Sequence, residues 1–152
     1  MLDIYVDADA CPVKDEVLKV AARYGLGVAF VSNSWMRVPV RDGVTLVVVD
    51  DNPDAADNHI AEHAAENDIV VTADIPLASR CIKNGAHVIA SNGRIFTDDN
   101  IGDALATRNL LSGLREAGSI TGGPPPFGKK DRARFLQSLD EVVQGVKRDC
   151  TI

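Results

Sequence analysis

Short apolar runs alternate with amphipathic stretches along most of the chain, and most runs end in polar or acidic residues. Leu2 to Val6 is apolar and rich in β-formers, which predicts a first strand. After Pro12, a natural first helical residue, Val13, Val17, Leu18, Val20 and Ala21 recur at helical spacing as far as Arg23-Tyr24, where Gly25 and Gly27 stop the helix. Val28 to Val31 predicts a second strand that ends in Ser32-Asn33-Ser34, and Trp35 to Gly43 reads as irregular. Val44 to Val49 is a third strand, again ending in acid at Asp50-Asp51. Asn52-Pro53-Asp54 opens a helix to about Glu66, with Ile60, Ala61, Ala64 and Ala65 as its core face. Ile69 to Thr72 is a fourth strand, a helix follows from Pro76 to Asn84-Gly85, and His87 to Ala90 is a fifth strand.

Strands that are continuous apolar runs separated by helices are the pattern of a parallel sheet covered on both faces. Beyond the fifth strand, Ile101 to Leu114 is predicted helical. Ser119 to Phe127, with three consecutive prolines, is excluded from helix and from a central strand. Lys129 to about Val146 is a last amphipathic helix with Phe135, Leu136, Leu139, Val142 and Val143 on one side. No internal repeat or domain-scale linker interrupts the pattern, so 1–152 is expected to be one domain, with 119–152 packing back on it.

Composition adds limits. With 45% hydrophobic and 25% charged residues the chain has ordinary globular proportions. No run approaches the roughly 20 apolar residues of a membrane span. No basic segment followed by an apolar stretch marks a secretory signal. Cys11, Cys81 and Cys150 have neither disulfide-framework nor zinc-site spacing, which fits a reducing cytoplasm. The net charge is −6. It is concentrated up to residue 93, where 7 Lys/Arg face 14 Asp/Glu, whereas from Arg94 onward 9 face 8. Such a chain is a poor nonspecific nucleic-acid binder through charge alone. If it handles phosphates, metal ions are expected to offset its own carboxylates.

The acids carry the candidate chemistry. Asp7 and Asp9 lie two apart, so in an extended chain they point the same way. Asp50/Asp51, Asp54/Asp57 and Asp74 also fall where strands end or helices begin. In a parallel sheet the carboxyl ends of the strands share one edge, so Asp7, Asp9 and Asp74 should converge there. Asp57, one turn into a helix that starts from that edge, can point back. Converging carboxylates repel one another in a low-dielectric cleft unless a cation joins them, and an all-oxygen set suits Mg²⁺ or Mn²⁺. Such ions activate water and clamp a phosphoryl oxygen. The plainer reading makes the same acids turn residues and helix caps. Thr72, two before Asp74, points to the same side and can hydrogen-bond a ligand carboxylate or alternatively be an ordinary β-branched strand end.

Taken together, Asp7-Ala-Asp-Ala-Cys-Pro12, Val71-Thr-Ala-Asp-Ile-Pro-Leu-Ala78, Asn92-Gly93-Arg94 and Thr121-Gly-Gly-Pro-Pro-Pro-Phe127 resemble the YaiI/YqxD family of uncharacterised bacterial proteins, over nearly the whole chain. That family is similar to PIN-like nuclease domains. The resemblance implies an α/β, Rossmann-like three-layer sandwich with a mainly parallel five-stranded sheet and helices on both faces. It also implies an acidic Mg²⁺/Mn²⁺ cluster that cuts phosphodiesters, usually of RNA. By position, Asp7 matches the first acid, Asp57 takes the place of a helix acid that is usually Glu, and Thr72-x-Asp74 matches the Thr/Ser-x-Asp signature. Asp98 or Asp99 is the candidate fourth acid, and Asp9 lies in or just behind the ligand set. Asn92, Arg94, Arg108 and the cluster beginning at Lys129 are candidates for steadying the substrate.

Two rival readings use the same residues. A haloacid-dehalogenase-like phosphatase would make Asp7 the nucleophile and Asp9 the acid/base, with Ser32, Lys83 and Asp98-Asp99 in order behind them. It leaves Asp57 and Thr72-x-Asp74 idle. A non-catalytic module would use a PIN-like pocket to sense a metal, nucleotide or RNA end. His59-Ile-Ala-Glu-His63 matches a zinc-protease pattern, but no third ligand stands out and both histidines lie off the core stripe.

Overall fold

The computed structural model describes residues 3–8, 11, 13–35, 37–38, 43–49, 55–72, 74–97, 100–102 and 128–150. Among these, six strands form one sheet: β1 (Asp3–Asp7), β2 (Gly27–Ser32), β3 (Val44–Val48), β4 (Ile69–Val71), β5 (His87–Ile89) and β6 (Ile95–Phe96). The helices are α1 (Lys14–Tyr24), α2 (Ala55–His63), α3 (Ile75–Lys83) and α4 (Lys129–Cys150). The strand order is β3-β2-β1-β4-β5-β6. All pairings are parallel except β5 with β6. The sheet therefore has one strand more than the five expected. β6 is only two residues long, too short for a period-2 pattern to register, and it returns antiparallel through the turn at Gly93.

Alternation along β1 divides the core. Ile4 and Val6 join Val28, Phe30, Ile69, Val71 and Ile89 on one face, under Val17, Val20 and Ala21 of α1 and Phe135, Leu139 and Val143 of α4. Tyr5, Val31, Val70 and Val88 look to the other face, under Ile60 and Ala61 of α2 and Leu77, Ala78 and Cys81 of α3. Both faces are covered, as continuous apolar strands require. Each fully buried Val, Leu, Ile or Phe in these layers contributes about 1.5–3 kcal/mol.

Some element ends differ from the expected ones. α1 begins with Val13 as N-cap, not at Pro12, and stops where Gly25 turns left-handed at φ 67, its N–H returning to the Ala21 carbonyl. α2 ends at His63 rather than near Glu66. The cause is Asp68, which is buried and accepts from the backbone N–H groups of Ala65 (2.9 Å) and Asp3 (3.1 Å), tying this turn to the start of β1. α4 runs to Cys150, four residues past the expected end. The predicted helix from Ile101 is described only as far as residue 102, and the Ser119–Phe127 loop lies outside the described residues. Among the described residues no helix is long and apolar enough to cross a membrane.

Candidate functional site at the strand switch point

The chain leaves β1 and runs to β2 on one side, and later enters β4 on the other. The sheet's order therefore reverses between β1 and β4. Open α/β sheets bind their ligands at the carboxyl ends of the strands beside such a reversal, where the connecting segments run to opposite sides. Asp7 closes β1 at that point and Thr72 follows β4 directly.

A hydrogen-bonded chain links the two strand ends. The Thr72 hydroxyl donates to Asp7 Oδ2 at 3.1 Å and accepts from the Asp74 N–H at 3.0 Å. Thr72 is itself only 2% exposed, and its N–H donates to the Ile89 carbonyl at 3.1 Å, so the hydroxyl is held from β5 as well. Asp74 Oδ1 accepts from the Leu77 N–H at 3.0 Å and is the N-cap of α3, with Pro76 in the first turn. The capping reading thus holds for Asp74, through one of its two oxygens. It does not hold for Asp7, because Val13 is the N-cap of α1. The Thr72 hydroxyl does meet a carboxylate, that of Asp7.

Asp57 lies in the first turn of α2, partly buried, and its charge reaches Cys81 of α3. Among the described residues, no three His, Cys, Asp or Glu side chains gather closely enough to hold a metal ion. The Asp7 carboxylate and the Asp74 backbone are linked through the Thr72 hydroxyl. Asp9, Asp98, Asp99 and Arg108 lie outside the described residues. Two carboxylates with hard oxygen donors do fit Mg²⁺ or Mn²⁺, since Mg²⁺ is commonly held by one or two carboxylates and keeps several waters.

Asn92 and Arg94 occupy the turn after β5, on the same edge. Asn92 Oδ1 accepts from the Arg94 N–H at 3.0 Å, and the Arg94 guanidinium lies 5.2 Å from the Phe96 ring centre, stacked on a buried aromatic. Gly93 between them has φ 90, and a Cβ there would sit 2.9 Å from the backbone of Arg134 in α4. This close approach clamps the turn against the start of α4. The same start meets α1 through Arg132 and Glu16 (3.5 Å), while Asp140, further on, meets Arg23 (2.8 Å) near the end of α1. α4 therefore runs alongside α1 in the same direction. Its first turn, with exposed Lys129, Lys130 and Arg132, stands at the carboxyl edge of the sheet.

Glu16 was not singled out by its sequence position. Its Oε2 is buried without a hydrogen-bond partner among the described residues, and its charge and that of Asp7 both act on Cys11. An acid in the first turn of a helix carries no sequence signal beyond ordinary dipole preference. Burial pushes the Cys11 thiol up, and pushes that of Cys81 to about 11, so both are neutral thiols and poor nucleophiles. Ser32 is fully buried and bound to the backbone of Ser34, accepting from its N–H and donating to its carbonyl. Lys83 lies in the last turn of α3, about 13.5 Å along the helix from Asp74 at 1.5 Å per residue. His59 and His63 stack with ring centres 4.0 Å apart, and His63 Nδ1 donates to the His59 carbonyl at 2.7 Å.

With acids fixed at the switch point of its sheet, the protein is of the α/β, Rossmann-like kind. Among such proteins, the chain belongs to the YaiI/YqxD family, described as uncharacterised, whose model matches residues 5–145. It is similar to the UPF0178 protein of Paramagnetospirillum magneticum, 56% identical over 97% of this chain and 98% of the relative. The UPF0178 proteins of a Caulobacter species and of Rhodospirillum rubrum are 54% and 53% identical, each over 97% of this chain and 98% or 99% of the relative. No solved structure matches.

Proposed function

We propose that the protein is a metal-dependent phosphodiester hydrolase acting on RNA. The observation that carries this reading is the Thr72 hydroxyl bridging Asp7 and the Asp74 backbone at the switch point. Mg²⁺ or Mn²⁺ would be held by Asp7 and Asp74, with Asp57, Asp9 and Asp98 as the further candidate ligands. Bound there, the ion would supply Lewis acidity and a lowered pKa for water. The protein's own part is positional. Thr72 fixes the direction of the Asp7 carboxylate, and the cap bond orients Asp74. Arg94, steered by Asn92 and stacked on Phe96, and the basic start of α4 from Lys129 onward offer cationic groups to substrate phosphates on the same edge. Arg108 is proposed for the same task.

The test is Mn²⁺-dependent cleavage of labelled RNA by the purified chain, by Asp7→Asn and by Asp74→Asn. Asparagine caps helices about as well as aspartate, and the amide oxygen introduced by Asp7→Asn can still accept from Thr72, so both variants should fold. Activity abolished in both, with unchanged melting, is the expected result. Cleavage surviving either substitution would refute the proposal, and phosphomonoester turnover surviving Asp74→Asn would favour the phosphatase chemistry instead.

A further inference from the structure

Trp35 is the chain's single tryptophan and is 75% exposed. Isolated exposed apolar residues are common, so exposure alone says little. Position and anchoring say more. Trp35 lies three residues past the end of β2, the strand next to β1, and the pair Asp7 with Val31 is in register. Its approach is fixed by the Ser32 hydroxyl, which donates to the Ser34 carbonyl at 2.7 Å, and by the Val49 N–H donating to the Ser32 carbonyl at 2.8 Å. Three residues further on, Val38 packs against the core beneath α1 and α4. The indole is therefore held between two anchors and turned to solvent, on the segment that leaves the carboxyl end of β2, four residues past Val31, the residue paired with Asp7. Arg37, also exposed, follows it.

A polyanion approaching this edge meets a protein of net charge −6, whose acids are concentrated up to residue 93, the part that supplies Asp7, Asp57 and Asp74. Attraction to phosphates is correspondingly weak. Stacking on an aromatic face needs no charge and accepts any unpaired base, since every base has a π-face. We propose that Trp35 is the substrate-stacking residue of the site, taking the face of an unpaired nucleobase beside the bond held at Asp7, with Arg37 against the adjoining phosphate. The inference rests on the phosphodiester reading above.

The experiment uses full-length Asp7→Asn protein titrated with a fluorescently labelled single-stranded oligoadenylate and with a duplex of equal length. Anisotropy of the label and indole emission are both read. The single strand should bind and quench the indole, and the duplex should do neither. Trp35→Ala should weaken single-strand binding about tenfold, while Trp35→Tyr keeps most of it. Binding of the single strand with indole emission unchanged, and equal affinity in Trp35→Ala, would overturn the stacking role while leaving the phosphodiester reading intact. Absence of binding in every variant, together with absence of Mn²⁺-dependent cleavage by the unsubstituted chain, would remove both. Concentration-dependent dimerisation abolished by Trp35→Ala, without quenching by the oligonucleotide, would assign the indole to contact between copies of the chain and refute the proposal.

Discussion

Thr72 shows how one hydroxyl can join two strand ends. It donates to Asp7 and accepts from Asp74 while almost wholly buried. Removing it leaves the Asp74 N–H without that acceptor and takes the hydroxyl donor from the Asp7 carboxylate. Thr72→Val should therefore cost about 1–3 kcal/mol in urea denaturation, and Thr72→Ser much less. RNA cleavage should fall in Thr72→Val beyond what the stability loss explains and recover in Thr72→Ser. Equal activity in the two variants would leave Thr72 a structural residue only. The pattern Thr-x-Asp was visible in sequence because strand alternation is a local rule. That the hydroxyl's partner would be Asp7, 65 residues away, was not visible, because it depends on β4 pairing with β1.

Among the elements, the β5–β6 turn and α4 depend on each other. Gly93 takes φ 90 and leaves no room for a Cβ beside Arg134. Gly93→Ala should destabilise by about 1–3 kcal/mol from the backbone conformation and crowding together, as measured by thermal or chemical unfolding. It should also displace Arg94, which stacks on Phe96 one step further along. The amphipathic pattern of α4 was legible from Phe135 to Val143, since burial of one helix face leaves a periodic trace. Its direction across the sheet was not, because the same stripe packs either way round. The Glu16–Arg132 and Arg23–Asp140 contacts reveal that direction, and with it the placing of the Lys129 cluster at the acidic edge.

Across the molecule, Asp140, midway along α4, clasps the carboxyl-terminal end of α1. Its carboxylate accepts from Tyr24 (2.6 Å), Gln144 (2.6 Å) and Arg23 (2.8 Å). The Tyr24 hydrogen bond foremost, helped by Gln144 and Arg23, lowers its pKa below the usual 3.8. Unfolding raises that pKa, so the unfolded chain binds the proton more readily. The contribution is then complete above the ordinary carboxylate range and is lost as pH falls through 3.8 and below. Asp140→Asn should lower stability at pH 7 and flatten this part of the acid limb, as seen in unfolding midpoints between pH 7 and 3. A variant losing stability in parallel with the parent across that range would show that Asp140 does not set it.

Local pattern was enough for the alternation of strands and helices, the two-sided burial of the sheet and the acids at strand ends, because periodicity, turn chemistry and capping act over a few residues. The family was legible as well, through motifs spread along the chain. β6 was not, since its two residues are defined only by pairing with β5, and neither was the buried role of Asp68 beside β1. Which acids meet was left to the packing of the whole chain. Strand order placed Asp7 and Thr72 side by side at the switch point, set the end of β2 that leads to Trp35 beside Asp7, and helix packing turned the first turn of α4 to the same edge. Those neighbours are separated by tens of residues along the chain, and proximity at that range is fixed by tertiary packing, which no short stretch of sequence encodes.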